Sequence, residues 1–311
     1  MRTIVVGLGI QGRKRRAVAG TDVVATVDPV APADFRRVEE VPPESYDAAL
    51  VCTPDAPKME ILRYLLEHGK HVLVEKPLTA DEGELQALAD LAVARRTSCY
   101  TAYNHRFEPH FVRMKEVLDS GVLGRIFHVR LFYGNGTVRD VYNSVWRDEG
   151  AGVLPDLGSH LLDTLLFWFG ERIGAAGEDG FRVIAADRFE NRSFDHIVLA
   201  RNGDLPIQVE MSLVSWRNHF VADVFAEKGS AHIESLCKWG PSSFTMRRRV
   251  LPSGRPPEET VTLVQPDPTW AIEYEHFKEL CAEGRHNIET DIWLNSVLGR
   301  LGRDALEAFP P

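Results

Sequence analysis

Apolar positions fall into two regimes along the chain. Through residue 103 they come in short unbroken runs. TIVV (3–6), VVATVD (23–28), DAALVC (47–52), HVLV (71–74) and the segment from Ser98 to Tyr100 read as strands buried on both faces. Between them, residues 10–19, 58–68 and 81–95 carry apolar positions at helical spacing; the second has them at 61, 62, 65 and 66, with Gly69 as a stop. The order β-α-β-β-α-β-α-β predicts a mostly parallel, doubly wound sheet with helices on both faces. APADFRRVEEVPPESY (31–46), rich in proline and charge, reads as loop with one helical turn.

Past residue 103 the pattern changes. Residues 111–120 read as a helix, 125–133 as a strand, and 156–169 as an apolar helix closed by Gly170. HIVLA (196–200), PIQVEMSLVSW (206–216), HFVADVFAE (219–227), SAHIES (230–235) and ETVTLV (259–264) are consecutive strand-like runs. Short turns between them predict an open, largely antiparallel or mixed sheet. Helices near 269–282 and 291–308 close the chain. The fold class is therefore α/β, with a doubly wound domain over 1–103 and an α+β domain over 104–311 whose last helix packs back on the first.

Length and charge narrow the function. At 311 residues, two domains are the default. A net charge of −9 argues against nucleic acid as partner, because phosphate binding wants a basic footprint, and against an anionic membrane surface. LLDTLLFWF (161–169) is too short to span a bilayer, and the N-terminal apolar run is too short for a signal peptide. Cys52, Cys99, Cys237 and Cys281 lie far apart with no metal-ligand spacing, which reads as reduced thiols in a cytoplasmic protein without a metal.

The first candidate site is the turn Gly7-Leu8-Gly9-Ile10-Gln11-Gly12, directly after the first strand and opening the first helix. Gly7 permits the tight turn, Gly9 lets backbone approach a pyrophosphate, and Gly12 lets helix pack on strand. The phosphates then meet N–H groups at the positive helix terminus. Asp28 ends the second strand, where its carboxylate accepts from the adenosine ribose and repels a 2′-phosphate. Pro29 and Val30 follow it with no adjacent arginine, so NAD is favoured over NADP. The run Arg13-Lys14-Arg15-Arg16 reads as a solvated helix face; the alternative is that one of its charges reaches a phosphate.

The second candidate site has two parts. Glu75-Lys76-Pro77 follows the fourth strand, at the carboxyl edge where ligands of doubly wound sheets bind. Asp156 and His160 are four apart and share a helix face. Histidine can take a hydroxyl proton near neutral pH and return it, with an aspartate to orient the ring. Asp163 shares that face and is a second orienting candidate; Ser159 reads as exposed.

Together these residues resemble the glucose–fructose oxidoreductase, inositol dehydrogenase and rhizopine catabolism (Gfo/Idh/MocA) family. The resemblance runs through GLGIQG (7–12), TPDAPKMEILRYLLEHGKHVLVEKPLT (53–79), YNHRFEPH (103–110), SGVLGRIFHV (120–129) and WRDEGAGVLPDLGSHLLDTLLFWFG (146–170). It implies that Lys76 lies by the nicotinamide and polarises the reacting oxygen, with Asp156 and His160 completing the acid–base group. It also implies that Thr53, Pro54, Glu75 and Asn104 line the cofactor. The second domain's free sheet face would form a homodimer or higher homo-oligomer. One departure is Lys58, where family members often carry histidine.

The function implied is NAD-dependent oxidation of a secondary alcohol, or the reverse, on a sugar, cyclitol, amino sugar or nucleotide sugar. Arg106, Trp146 and Arg147 are the substrate contacts expected, with Tyr133 and His219 as further candidates. The alternatives are a ligand sensor without turnover, which would not keep Lys76, Asp156 and His160; NAD-dependent glycoside cleavage; and biliverdin-type reduction, which needs no such pair.

Overall fold

The computed structural model describes residues 1–144, 148–174 and 180–310. In chain order the elements are β1 (Thr3–Val6), α1 (Ile10–Ala19), β2 (Val23–Val27), β3 (Ala48–Val51), α2 (Asp55–Glu67), β4 (His71–Glu75), α3 (Glu82–Arg95), β5 (Cys99–Ala102), α4 (Pro109–Asp119), β6 (Ile126–Gly134), α5 (Val138–Tyr142), α6 (Ser159–Phe169) and α7 (Glu171–Gly174). Seven strands follow: β7 (Phe181–Asp187), β8 (His196–Arg201), β9 (Ile207–Ser212), β10 (His219–Ala226), β11 (Gly229–Glu234), β12 (Ser242–Arg248) and β13 (Glu258–Leu263). Then come α8 (Thr269–Glu283) and α9 (Ile288–Ala308).

Two compact units result: Met1–Asn104 with Thr269–Asn295, and His105–Pro268 with Ser296–Pro311. The division is not the single cut at 103/104 read from sequence. Residues 269–295 belong with the first unit, and α9 is shared between both.

In the first unit all pairings of the sheet β2-β1-β3-β4-β5 are parallel. Successive strand residues enter opposite cores. Ile4, Val6, Ala49, Val51, Val72 and Val74 pack with Leu62, Leu65, Leu66, Leu85 and Leu88 of α2 and α3. Val5, Ala48, Leu50, Leu73 and Tyr100 pack with Tyr274, Phe277 and Leu280 of α8. Both faces are buried, which is why the runs do not alternate. Each fully buried Leu or Val contributes about 1.5–3 kcal/mol relative to exposure.

The second unit is built on an eight-stranded sheet, β13-β12-β11-β10-β6-β9-β8-β7, antiparallel throughout except for β6 against β9. Here the strands alternate. Val129, Leu131, Tyr133, Phe220, Ala222 and Val224 are buried on one face. Arg130, Phe132, Asp223 and Phe225 take the other. On that face Asp223 accepts from Arg130 (2.7 Å) and sits 2.6 Å from His232 Nδ1. Helices α4 and α6 meet through Phe111 and Trp168, whose indole N–H donates to the Phe111 carbonyl at 3.1 Å. No helix among the described residues is long and apolar enough to cross a membrane.

Candidate active site

The glycine turn fits a bound dinucleotide. Gly7 has φ +90°, and a Cβ there would meet the Cys52 carbonyl oxygen at 2.7 Å. A Cβ on Gly12 would lie 1.8 Å from the Gly7 carbonyl oxygen, so helix and strand are as close as backbone allows. A Cβ on Gly9 would meet nothing within 4 Å. The one glycine not required by packing is thus the one whose backbone faces open space. Leu8 is buried, while Ile10 and Gln11 are exposed. Beside the turn, Thr53 Oγ1 is buried with no hydrogen-bond partner among the described residues, an orphan that a cofactor oxygen would satisfy. Pro54 precedes α2 as its N-cap. Asn104 donates to Thr269 Oγ1 at 3.0 Å.

Asp28 is tied to this turn. Its Oδ2 accepts from the Leu8 N–H at 2.7 Å, and Oδ1 accepts from Val30 (2.8 Å) and Ala31 (2.7 Å). Partial burial would raise its pKa, but these backbone donors hold it below the usual carboxylate value.

The Glu75-Lys76-Pro77 turn is held at three points. Glu75 Oε1 accepts from Arg15 Nε at 2.7 Å. The Pro77 carbonyl accepts from Lys58 Nζ at 2.6 Å. The Leu78 carbonyl accepts from Asn295 Nδ2 at 2.8 Å. The Lys76–Pro77 peptide is cis. Lys76 itself is half-buried.

One of these anchors corrects the sequence reading. Arg15 is not on a solvated face: it is 1% exposed, pairs with Glu75 and Glu273, and lies 4.2 Å from the Trp270 ring centroid. Lys58, where family members often have histidine, is buried and bonded to Asp55 and Pro77. Glu273 is fully buried, and burial pushes its carboxyl up to about 7 against the pull of Arg15.

In the second unit Asp156 lies in a π-helical turn, Leu154–Gly158, that runs into α6; His160 follows one turn later. Both are half-buried. The His160 ring stacks on His105 at 4.0 Å and lies 6.2 Å from Tyr133. Burial first, and then the Asp156 charge, push the Tyr133 phenol up, so Asp156, Tyr133, His160 and His105 are neighbours. His105 Nε2 is 3.2 Å from Lys238 Nζ.

Other candidates fall elsewhere. Asp163 does not orient His160: it is buried and accepts from Arg106 Nε at 3.0 Å through both oxygens. Ser159 is buried, not exposed, and donates to the Asp156 carbonyl at 3.0 Å. His219 packs tilted against Phe132, 4.9 Å between ring centroids, on the sheet face opposite Tyr133. Trp146 and Arg147 lie outside the described residues. Spacing did not flag Glu108, Cys237 and Asp267, whose ligand-type atoms all lie within 4.8 Å of one another. Burial holds both the Glu108 carboxyl and the Cys237 thiol toward their neutral forms.

A parallel sheet with a glycine turn at its first helix, followed by a unit on an open mixed sheet, defines a class: two-part dehydrogenases with a Rossmann cofactor unit. Residues 1–103 match the model "Oxidoreductase family, NAD-binding Rossmann fold", and residues 111–232 match the GFO/IDH/MocA C-terminal domain. The chain belongs to the GFO/IDH/MocA oxidoreductase family. An uncharacterized oxidoreductase of Schizosaccharomyces pombe is 32% identical over 143 residues, 44% of this chain and 37% of that protein. The scyllo-inositol 2-dehydrogenase (NADP(+)) of Bacillus subtilis is 30% identical over 127 residues, 40% of this chain and 35% of its own. The matches thus span well under two thirds of these relatives' lengths. Among solved structures, UDP-N-acetylglucosamine 3-dehydrogenase from Acidithiobacillus ferrooxidans superposes with a TM-score of 0.80 at 20% identity, over 99% of this chain and 98% of that one, which establishes the shared fold.

Proposed function

We propose that the chain is an NAD-dependent dehydrogenase or reductase acting on a secondary alcohol or ketone of a sugar, cyclitol, amino sugar or nucleotide sugar. The observation that carries this reading is the three-point anchoring of the Glu75-Lys76-Pro77 turn in the unit that holds the glycine cradle. A lysine held on so fixed a turn suits an electrostatic role, because preorganised charge needs no rearrangement during reaction. The names of relatives, among them scyllo-inositol 2-dehydrogenase and inositol 2-dehydrogenase, support a polyol substrate.

The residues divide the work as follows. Gly7, Gly9 and Gly12 with Thr53 bind the dinucleotide, and Asp28 addresses its ribose. When bound, the nicotinamide supplies the hydride acceptor or donor. His160 takes the proton of the substrate hydroxyl on oxidation and returns it on reduction. Asp156 favours the imidazolium that this creates. Lys76 holds negative charge developing on the substrate oxygen. Arg106 is proposed at the substrate pocket's edge, its guanidinium oriented by Asp163. The sheet face carrying Phe132 and Phe225 is assigned to a second copy of the chain, which sedimentation equilibrium would register as a dimer or larger.

The test is a panel of polyols, aldoses and nucleotide sugars with NAD, followed by absorbance of reduced nicotinamide. Turnover should appear with at least one polyol. Lys76→Ala and His160→Ala should each lower it at least tenfold while NAD still binds. Wild-type turnover in both variants would remove the proposed roles.

A further inference from the structure

We propose that Glu108, Cys237 and Asp267 bind one divalent cation of the zinc type, as a structural site within the second unit. The residues are separated by 129 and 30 positions in the chain, so no ligand spacing marks them in the sequence. The inference does not depend on the dehydrogenase reading.

Each ligand is set by its own local structure. Glu108 is the N-cap residue of α4, followed by Pro109 as the first helical residue. A side-chain oxygen at that position ordinarily accepts from the N–H groups of the first turn, but this carboxylate caps nothing. It turns instead to residue 237, where Oε2 accepts from the Cys237 N–H at 3.2 Å. Cys237 is buried and opens the tight turn Cys237–Trp239 between β11 and β12. Asp267 stands between Pro266 and Pro268, on the segment leading from β13 into α8. A proline on each side restricts its backbone. Cys237 Sγ lies 3.9 Å from Asp267 Oδ1, and one donor atom from each of the three residues lies within 4.8 Å of the other two.

An orphaned oxygen points to a ligand. Glu108 is 2% exposed, and its Oε1 is buried with no hydrogen-bond partner among the described residues. A buried carboxylate oxygen without a donor is costly, and a cation among these three side chains would satisfy it. The spacing suits a small tetrahedral ion. Oxygen and sulfur ligands at about 2.1 and 2.3 Å from zinc lie roughly 3.6 Å from each other, so the 3.9 Å between Cys237 and Asp267 needs little movement. A sulfur donor selects zinc over magnesium or calcium, which take oxygen alone. On binding, the thiol gives up its proton. The dication and Lys238, whose charge acts on both Glu108 and Cys237, then offset one thiolate and two carboxylates. The fourth position is left to water.

The test takes the full chain, treated with EDTA and dialysed, and titrates it with cobalt(II), whose bond to a thiolate gives a charge-transfer absorbance. A saturable band at one cobalt per chain is expected, and zinc should displace it. Cys237→Ser should abolish the band, while Cys52→Ser and Cys281→Ser keep it. Glu108→Gln, which preserves the shape and the contact with the Cys237 N–H, should weaken binding at least tenfold, and Asp267→Asn should do the same. Zinc at a hundredfold excess over its Kd should raise Tm by about 3 °C or more in the wild type and by less in Glu108→Gln. No saturable band in the wild type, a band that survives Cys237→Ser, or undiminished affinity in Glu108→Gln would each overturn the proposal. Should Cys237→Ser fail to fold, the Glu108→Gln titration decides alone. None of these readouts uses NAD or turnover, so the dehydrogenase reading stands or falls separately.

Discussion

The imidazole rings of His105 and His160 lie 4.0 Å apart between centroids and within 17° of parallel. Lys238 Nζ lies 3.2 Å from His105 Nε2. One face of His160 thus rests on a buried ring rather than on solvent. On the proposed role of His160, His105 is a positioning residue that sets the plane of the reacting imidazole. His105→Ala should lower kcat about tenfold with a smaller change in KM, as expected when a proton-transfer group is misaligned. His105→Phe, which keeps the stack, should recover most of kcat. Equal losses in the two variants would show that ring orientation is not what His105 provides.

The glycine turn separates packing from binding. Gly12→Ala drives a methyl against the Gly7 carbonyl and should lower Tm markedly. Gly9→Ala meets nothing, and the backbone there (φ −64°, ψ −165°) suits alanine. That variant should keep its Tm within a few degrees, given an N-cap cost of about 1 kcal/mol, yet lose dinucleotide affinity at least tenfold. Thermal melts with and without NAD distinguish the two outcomes.

The buried Arg15–Glu75–Glu273 cluster makes stability depend on pH. Glu273 is held up at about 7 in the folded chain, against 4.5 for an ordinary glutamate. The folded state therefore binds more protons than the unfolded state between those values, so this residue's contribution to stability falls as pH rises from about 4.5 to about 7 and is level beyond. Glu273→Gln should flatten that part of the Tm-against-pH curve. Arg15→Met leaves two carboxylates facing each other and should cost about 3–5 kcal/mol, the range for breaking a buried pair; chemical denaturation would measure it.

Arg106 and Asp163 give a companion test in the second unit. Asp163 is 1% exposed and burial pushes its carboxyl up even with the guanidinium on it. Arg106→Met should destabilise by about 3 kcal/mol, and adding Asp163→Asn should restore part of the loss. If Arg106 also meets substrate, the double variant regains stability without regaining KM.

The fold was legible because the strands of the first unit are buried on both faces and those of the second on one, so runs and alternation mark them directly. The glycine turn, Lys76 and the Asp156–His160 pair could be named as candidates from sequence because each is a local pattern. What was missed is tertiary. Nothing near Arg15 in sequence signals that Glu75 and Glu273 will bury it. Lys58 and Asn295 reach carbonyls of a turn far along the chain. Arg36 comes to Asp28 only because Phe35 bridges back to Val27. Asp163 looked like a partner for His160 because helical spacing says which face a residue takes and not which element will meet it.

The return of residues 269–295 to the first unit has a consequence for biosynthesis. Leu50, Leu73 and Tyr100 leave the ribosome early, but the side chains that cover them, Phe277 and Leu280, are made about 180 to 230 residues later, roughly ten seconds or more at ordinary elongation rates. For that interval this flank of the nascent sheet has only α1 against it, so truncation ahead of α8 should leave apolar surface bare.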